Sequence, residues 1–280
     1  MAGDRAREFI PGPAGFGPAG RPAHPSVMTD IDYVGIYRDR PEDYDAMVAA
    51  EDVEGNLPRA LGELLPLAGA RVLELGCGTG RVTRLLVQNG ADVVAIDRER
   101  AMLSIAQRRL NEAERPLDDV ERAFDANGPQ ATTHGRASLV QAEAQSLPVR
   151  DGWADLAIEG WAFGHLRHKN PGWRESLTRA IDEMERALKP GGRFVLIETL
   201  GFGVTEPNAP GDDLAEFYAW LESERGMERR VIRTDYQFES PEAAVLHTTF
   251  FFGDEWAERI RAHGWSRVPE CTGLWTKART

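Results

Sequence analysis

Cysteine is scarce in this chain: Cys77 and Cys271 are the only two among 280 residues. One sits in a glycine-rich turn, and their separation fits neither a disulfide framework nor the spacing of a metal site. Long apolar runs are also missing. No stretch approaches the roughly 20 residues that a membrane helix requires, and residues 1–30 lack the apolar block of a secretory signal. Positive charge is outnumbered, with 33 Lys and Arg against 45 Asp and Glu and a formal charge of -12. Such a surface repels phosphate backbones and anionic lipid. These absences lead to the expectation of a soluble, cytoplasmic protein without a membrane or nucleic-acid partner and without a metal, acting as a monomer or homodimer. At this length a substantial buried core is available, so a folded enzyme is the default class.

What is present changes character along the chain. Residues 10–26 read I-P-G-P-A-G-F-G-P-A-G-R-P-A-H-P-S, too poor in core-forming side chains to offset the entropy of ordering. Residues 1–28 are therefore predicted to be a disordered tail, with Met28 at the start of ordered-looking sequence and a candidate alternative start. Between 31 and 65, Tyr33, Tyr37, Tyr44, Met47 and Val48 recur at helical spacing. Strand and helix then alternate. R-V-L-E-L (71–75) reads as a buried strand, followed by glycines and a helix that stops at Asn89-Gly90. A-D-V-V-A-I (91–96) is a second strand and 102–110 a second helix. After a polar connection over 112–136, further strands are predicted at 138–141, 155–159 and 193–198, with a helix at 173–188 before the last. This alternation specifies parallel βαβ units.

Beyond Thr199 the alternation breaks. Residues 201–253 read as an insertion over the site, with a helix near 214–222 and strand-like 231–238. A helix at 254–263 and strand-like 266–270 and 273–276 complete the sheet. The expected architecture is a doubly wound, mostly parallel seven-stranded α/β sheet with N-terminal helices and an inserted lid.

The chemistry-bearing motif is V-L-E-L-G-C-G-T-G (72–80), which puts Gly76, Gly78 and Gly80 between a strand and a helix. Glycine there lets the backbone turn and approach a ligand without a Cβ clash. The dinucleotide form requires a small residue at position 81, where this chain has Arg81, and no P-loop pattern occurs. Asp97 closes the second strand 17 residues after Gly80, where a carboxylate can accept both hydroxyl protons of a ribose. So far the pattern indicates an adenosine-containing ligand rather than one chemistry.

E-L-G-C-G-T-G and the following V-A-I-D resemble the first motif and the acidic second-strand end of class I, Rossmann-like S-adenosylmethionine (SAM)-dependent methyltransferases. A-E-A-Q-S-L-P (142–148) with W-A-D-L (153–156), and A-L-K-P-G-G-R-F-V-L-I-E (187–198), resemble later motifs of the same family in the same order. The resemblance implies SAM as cofactor, S-adenosylhomocysteine (SAH) as product and a small-molecule methyl acceptor. It also implies that Gly76, Gly78 and Gly80 line the methionine and ribose portion and that Glu74 sits near the ammonium end. Asp97 would hold the ribose hydroxyls, and Glu143, in place of the family's usual Asp, would face the adenine with Ala144. Arg98, Met102 and Glu159 join this expected cofactor set.

In this fold the acceptor lies beyond the fourth strand, here I-E-G-W-A-F-G-H (158–165). The N-P-P-Y or D-P-P-Y of many amino methyltransferases is replaced by E-G-W-A, which counts against methylation of nucleobases and glutamine. His165 is the candidate general base, with a surface or capping histidine as the alternative. Trp161 and Phe163 are candidates to stack on an acceptor, and Tyr33, Tyr37, Tyr44 and Tyr236 to cover it, each with core packing as the alternative. Glu51, Asp52 and Asn56 form a polar cluster that reads as ligand-directed or as a solvated helix face. Phe238 and Phe250, Phe251 and Phe252 either close over the acceptor or pack on the sheet. The competing functional classes are a non-catalytic SAM-binding protein, a SAM-dependent enzyme of another reaction type and, more distantly, an NAD-dependent oxidoreductase.

Overall fold

A computed structural model of the chain describes residues 31–113, 135–167 and 170–280. The predicted tail over 1–28 and most of the polar connection over 112–136 lie outside the described residues. Three helices come first: α1 (Tyr33–Asp39), α2 (Pro41–Val48) and α3 (Asn56–Leu64). The alternating part follows as β1 (Arg71–Leu75), α4 (Arg81–Gln88), β2 (Asp92–Asp97), α5 (Arg100–Ala113), β3 (Ala137–Gln141) and β4 (Ala154–Gly160). It continues through α6 (Phe163–Arg167), α7 (Trp173–Ala187) and β5 (Leu188–Phe202). The remainder forms α8 (Asp212–Ser223), β6 (Glu228–Arg233), β7 (Tyr236–Gln237), α9 (Pro241–Phe252), α10 (Asp254–His263), β8 (Arg267–Val268) and β9 (Glu270–Ala278).

The main sheet has seven strands in the order β3-β2-β1-β4-β5-β9-β6, and β7 with β8 forms a separate two-stranded ribbon. β3 through β5 run parallel, while β9 is antiparallel to both of its neighbours. Strands buried on both faces read as near-continuous apolar runs, as L-A-I in β4 and F-V-L-I in β5 do. One face packs Leu57, Leu61, Leu86 and Leu110 from α3, α4 and α5 against Val72, Ile158 and Val195. The other packs Trp173, Leu177 and Met184 of α7 and Phe217 and Trp220 of α8 against Leu73, Leu196 and Trp275. On that face Trp173 meets Trp220 edge to face at 5.4 Å, a favoured aromatic arrangement. Among the described residues no helix is long and apolar enough to cross a membrane.

The sheet matches the expected class, but the expected insertion does not hold together as one unit. Residues 201–253 divide into α8 on the core face, β6 on the edge of the main sheet, and α9, which crosses the site. The strand-like 231–238 is broken at Thr234-Asp235, because Asp235 accepts from the side chains of Arg233 and Arg267 and from the Glu270 amide. These bonds turn the chain from β6 into the small ribbon. The break expected at 271–272 comes earlier, at Pro269: β8 ends at Val268, and β9 runs unbroken from Glu270 to Ala278. Helix α9 was not expected, although Ser240 caps it by accepting from the Ala243 amide and Pro241 occupies its first turn. Its residues are apolar nearly all round, which hides the helical period that a sequence reading relies on.

Candidate functional site

The parallel strands β1, β2 and β4 end along one edge, and the loops that leave them build a cleft. After Leu75 the chain turns at Gly76 and Gly78, whose φ angles of 63° and 53° are in the left-handed region. A Cβ on Gly76 would lie 2.4 Å from the Ala162 Cβ, so glycine lets the loops after β1 and β4 come together. At the end of β2 the Asp97 carboxylate accepts from the Gly78 amide at 2.9 Å and from the Glu99 amide at 2.8 Å, one bond to each oxygen. Burial pushes its pKa up while the two amides pull it down. Each oxygen keeps further acceptor capacity, and the side chain faces a cleft enclosing about 970 Å³ including its open mouth. Gly76, Gly78, Asp97, Arg98 and Met102 line one end of this cleft, and Glu143 and Ala144 after β3 line another part. Glycine backbone, a ribose-competent carboxylate and apolar walls fit an adenosine-type ligand such as SAM.

Three expected cofactor residues are elsewhere. Gly80 begins α4, and a Cβ there would sit 3.0 Å from that of Ala106, so this glycine permits α4 and α5 to pack closely instead of lining the cleft. Glu74 is 2% exposed and accepts from the Thr83 hydroxyl at 2.7 Å, tying β1 to the first turn of α4. Burial raises it to about 8. Glu159 is fully buried and accepts the amides of Ala162 and Phe163, fixing the turn into α6. Burial raises it likewise to about 8. Both acids hold the loops that form the cleft, and neither lines it.

A second cavity of about 1180 Å³, again counted to its mouth, adjoins the first. Tyr44, Trp161 and His165 line both. Trp161 adopts φ 56°, a conformation rare for a bulky residue, held by its amide donating to the Ile197 carbonyl at 2.8 Å. The Arg81 guanidinium lies over its ring at 4.2 Å. The His165 ring packs on Tyr33 at 4.5 Å, and its Nε2 is hydrogen-bonded to the Tyr37 hydroxyl at 2.7 Å. Tyr33 and Tyr236 line the second cavity. Tyr37 and Phe163 do not: both line the first cleft, and Phe163 is 1% exposed within the core. Of the phenylalanines, Phe251 and Phe252 of α9 line the second cavity, whereas Phe238 and Phe250 do not.

The polar cluster over 51–56 serves three separate purposes. Asp52 accepts from the Asn56 and Leu57 amides and so caps α3, while the Asn56 amide group donates to the Arg233 carbonyl. Glu51 turns inward, pairing with Arg81 at 3.0 Å and accepting from the Tyr236 hydroxyl at 3.0 Å. The sequence reading missed Arg81 as a wall residue, together with Glu198 and Glu270. A carboxylate inside otherwise apolar strand sequence, as in L-I-E-T-L and P-E-C-T-G-L-W, was the available signal.

The fold and cleft define a Rossmann-like domain with a second cavity beside the cleft at the strand ends. Residues 73–196 match the family model described as a methyltransferase domain. The chain is 32% identical over 140 residues to an uncharacterised methyltransferase of Mycobacterium tuberculosis strain H37Rv, covering 50% of this chain and 44% of that protein. It is 33% identical over 177 residues to a malonyl-[acyl-carrier protein] O-methyltransferase of Methylococcus capsulatus, covering 58% and 54%. The matches thus span about half the length of these relatives. The YcgJ protein of Bacillus subtilis shares the fold with a TM-score of 0.50 at 15% identity, over 81% of this chain and 98% of that one. Over residues 73–196 this chain is thus similar to methyltransferase domains, carried on a Rossmann-like sheet.

Proposed function

We propose that this protein transfers the methyl group of SAM to an O, N or C atom of a small-molecule acceptor. The observation that carries this reading is the common wall of Tyr44, Trp161 and His165 between an adenosine-type cleft and a second, aromatic-lined cavity. Two reactants bound on either side of that wall meet there, and holding them in line accounts for most of what such an enzyme has to contribute. SAM supplies a methyl group already activated by its sulfonium. Gly76 and Gly78 present backbone to it, Asp97 accepts from the ribose hydroxyls, and Glu143 and Ala144 border the adenine. Aromatic side chains of α1, α2 and α9 exclude water from the acceptor, and α9 is the part of 201–253 that serves as a lid. Where the nucleophile must lose a proton, His165 receives it, and the Tyr37 hydroxyl oxygen accepts a hydrogen bond from the protonated ring.

The carboxylates facing the second cavity agree with a small-molecule acceptor rather than a nucleic acid, and the two free, buried cysteines agree with a cytoplasmic setting. Calorimetric titration with SAH and with NAD tests the reading, followed by transfer from methyl-tritiated SAM across an acceptor panel. Micromolar SAH binding without NAD binding, then label in an acceptor, is the expected result. NAD binding alone returns the protein to the oxidoreductases, and SAH binding without turnover of any acceptor favours a non-catalytic SAM-binding protein.

A further inference from the structure

The walls of the second cavity are electrostatically lopsided. Among its described lining residues Glu51, Glu198 and Glu270 face it, against one guanidinium, Arg81. That cation is already committed, since it pairs with Glu51 at 3.0 Å and lies over the Trp161 ring at 4.2 Å. Two carboxylate oxygens, Glu51 Oε1 and Glu270 Oε2, are buried without a hydrogen-bond partner. Their neighbours are occupied: Glu51 Oε2 accepts from Tyr236, and Glu270 Oε1 accepts from the Thr199 hydroxyl at 2.9 Å. The Glu51 side chain is 3% exposed and Glu270 is 2% exposed. A buried acceptor left unmade is costly, and native interiors supply a donor for nearly all such groups.

We infer that the acceptor is a basic amine, an apolar small molecule whose ammonium group docks between Glu51 and Glu270. This rests on the methyl-transfer reading above and names the substrate class of that site. An ammonium carries three donors and no acceptor, so it can offer a hydrogen to each orphaned oxygen without adding an unpaired acceptor of its own. It also relieves the repulsion between the two acids, which, after burial, is the largest factor holding Glu270 above the ordinary carboxylate range. Tyr44, Trp161, Phe251 and Phe252 surround the body of such a molecule with apolar surface and ring faces that attract cations. A carboxylate or phosphate acceptor would meet Glu51, Glu198 and Glu270 and an arginine already paired with Glu51. An alcohol would leave an oxygen unpaired.

The test uses SAH-saturated full-length protein and three matched probes: 2-phenylethylamine, 2-phenylethanol and 3-phenylpropionate. Calorimetry is expected to give at least tenfold tighter binding of the amine than of the alcohol and no saturable binding of the acid. Glu270→Gln, which keeps an acceptor for Thr199, should bring the amine to within threefold of the alcohol while SAH affinity stays within twofold. Because Glu51→Gln can unseat Arg81 and unfold the site, the probe comparison on the wild type stands as the independent measurement. Equal or tighter binding of the alcohol or acid overturns the inference, as does silence from all three with SAH bound. Failure of SAH itself to bind overturns the methyl-transfer reading first, and the amine assignment falls with it.

Discussion

The two cavities that meet at Trp161 are built in opposite ways. The cofactor cleft is made from short loops at the ends of neighbouring parallel strands, and its strand-end carboxylate is held by backbone amides of those loops. That carboxylate is Asp97, fixed by the amides of Gly78 and Glu99. The acceptor cavity is assembled from α1, α2, α4, α9 and the ends of β5 and β9, and its carboxylates face each other from segments as far apart as Glu51 and Glu270. One half is a local device attached to a common fold. The other exists only after the whole chain has folded, and two of its facing acids, Glu51 and Glu270, each keep one partnerless oxygen. Binding of SAM and selection of an acceptor should therefore separate under mutation.

Asp97→Ala is the severest test of that separation. Two hydrogen bonds donated to a charged acceptor contribute about 1.5–3 kcal/mol each, so losing the ribose contacts should weaken SAH binding by at least about 100-fold. Amine probes should still register in the second cavity wherever SAH can be driven to saturation. Undiminished SAH affinity by calorimetry would remove Asp97 from the cofactor site, and loss of probe binding at saturating SAH would show that the two halves are one cooperative unit.

A smaller effect is expected at the shared wall. Tyr37→Phe keeps the ring that lines the cofactor cleft and deletes only the hydroxyl bonded to His165. Its loss should appear as a fall in kcat of about tenfold, the scale of one hydrogen bond of roughly 1 kcal/mol or slightly more. SAH affinity should stay within threefold. A kcat indistinguishable from wild type would leave His165 as a packing residue against Tyr33 and Phe251, with no part in proton transfer.

The same local-versus-assembled distinction explains what the sequence disclosed. The four ordered motifs between Val72 and Glu198 give the cofactor half because glycine turns, a strand-end Asp97 and apolar strands are each readable within ten residues. Even there, side-chain direction escaped the reading. Glu74, Gly80 and Glu159 lie in or beside the motifs, yet their side chains, or the space a Cβ would take, face a helix rather than the ligand. In the acceptor half the relevant partners are set by strand order. β9 inserts between β5 and β6, which carries Glu270 to Thr199 and toward Arg81, and no spacing along the chain announces that. Helix α9 was hidden because its apolar residues have no polar face to give them a period.

Glu74 tests the boundary between the two kinds of construction with the smallest expected effect on ligand binding. Burial raises its folded-state pKa from 4.5 to about 8. Between those values the folded chain keeps a proton that the unfolded chain has released, so the group's contribution is complete below pH 4.5 and is lost as pH rises through about 8. An uncharged isostere has no proton to lose. Glu74→Gln should therefore match the wild type in melting temperature at pH 5 and exceed it by on the order of 10 °C at pH 8.5, the shift expected for roughly 3–4 kcal/mol in a chain of this size. The Thr83 hydroxyl can still donate to the amide oxygen, so α4 should keep its attachment to β1. SAH affinity should be unchanged within threefold, because the side chain is directed at Thr83 and not at the cleft. An equal displacement of melting temperature at both pH values would mean that Glu74 is ionised in the folded chain. A tenfold loss of SAH affinity at unaltered stability would instead return Glu74 to the ammonium end of the cofactor.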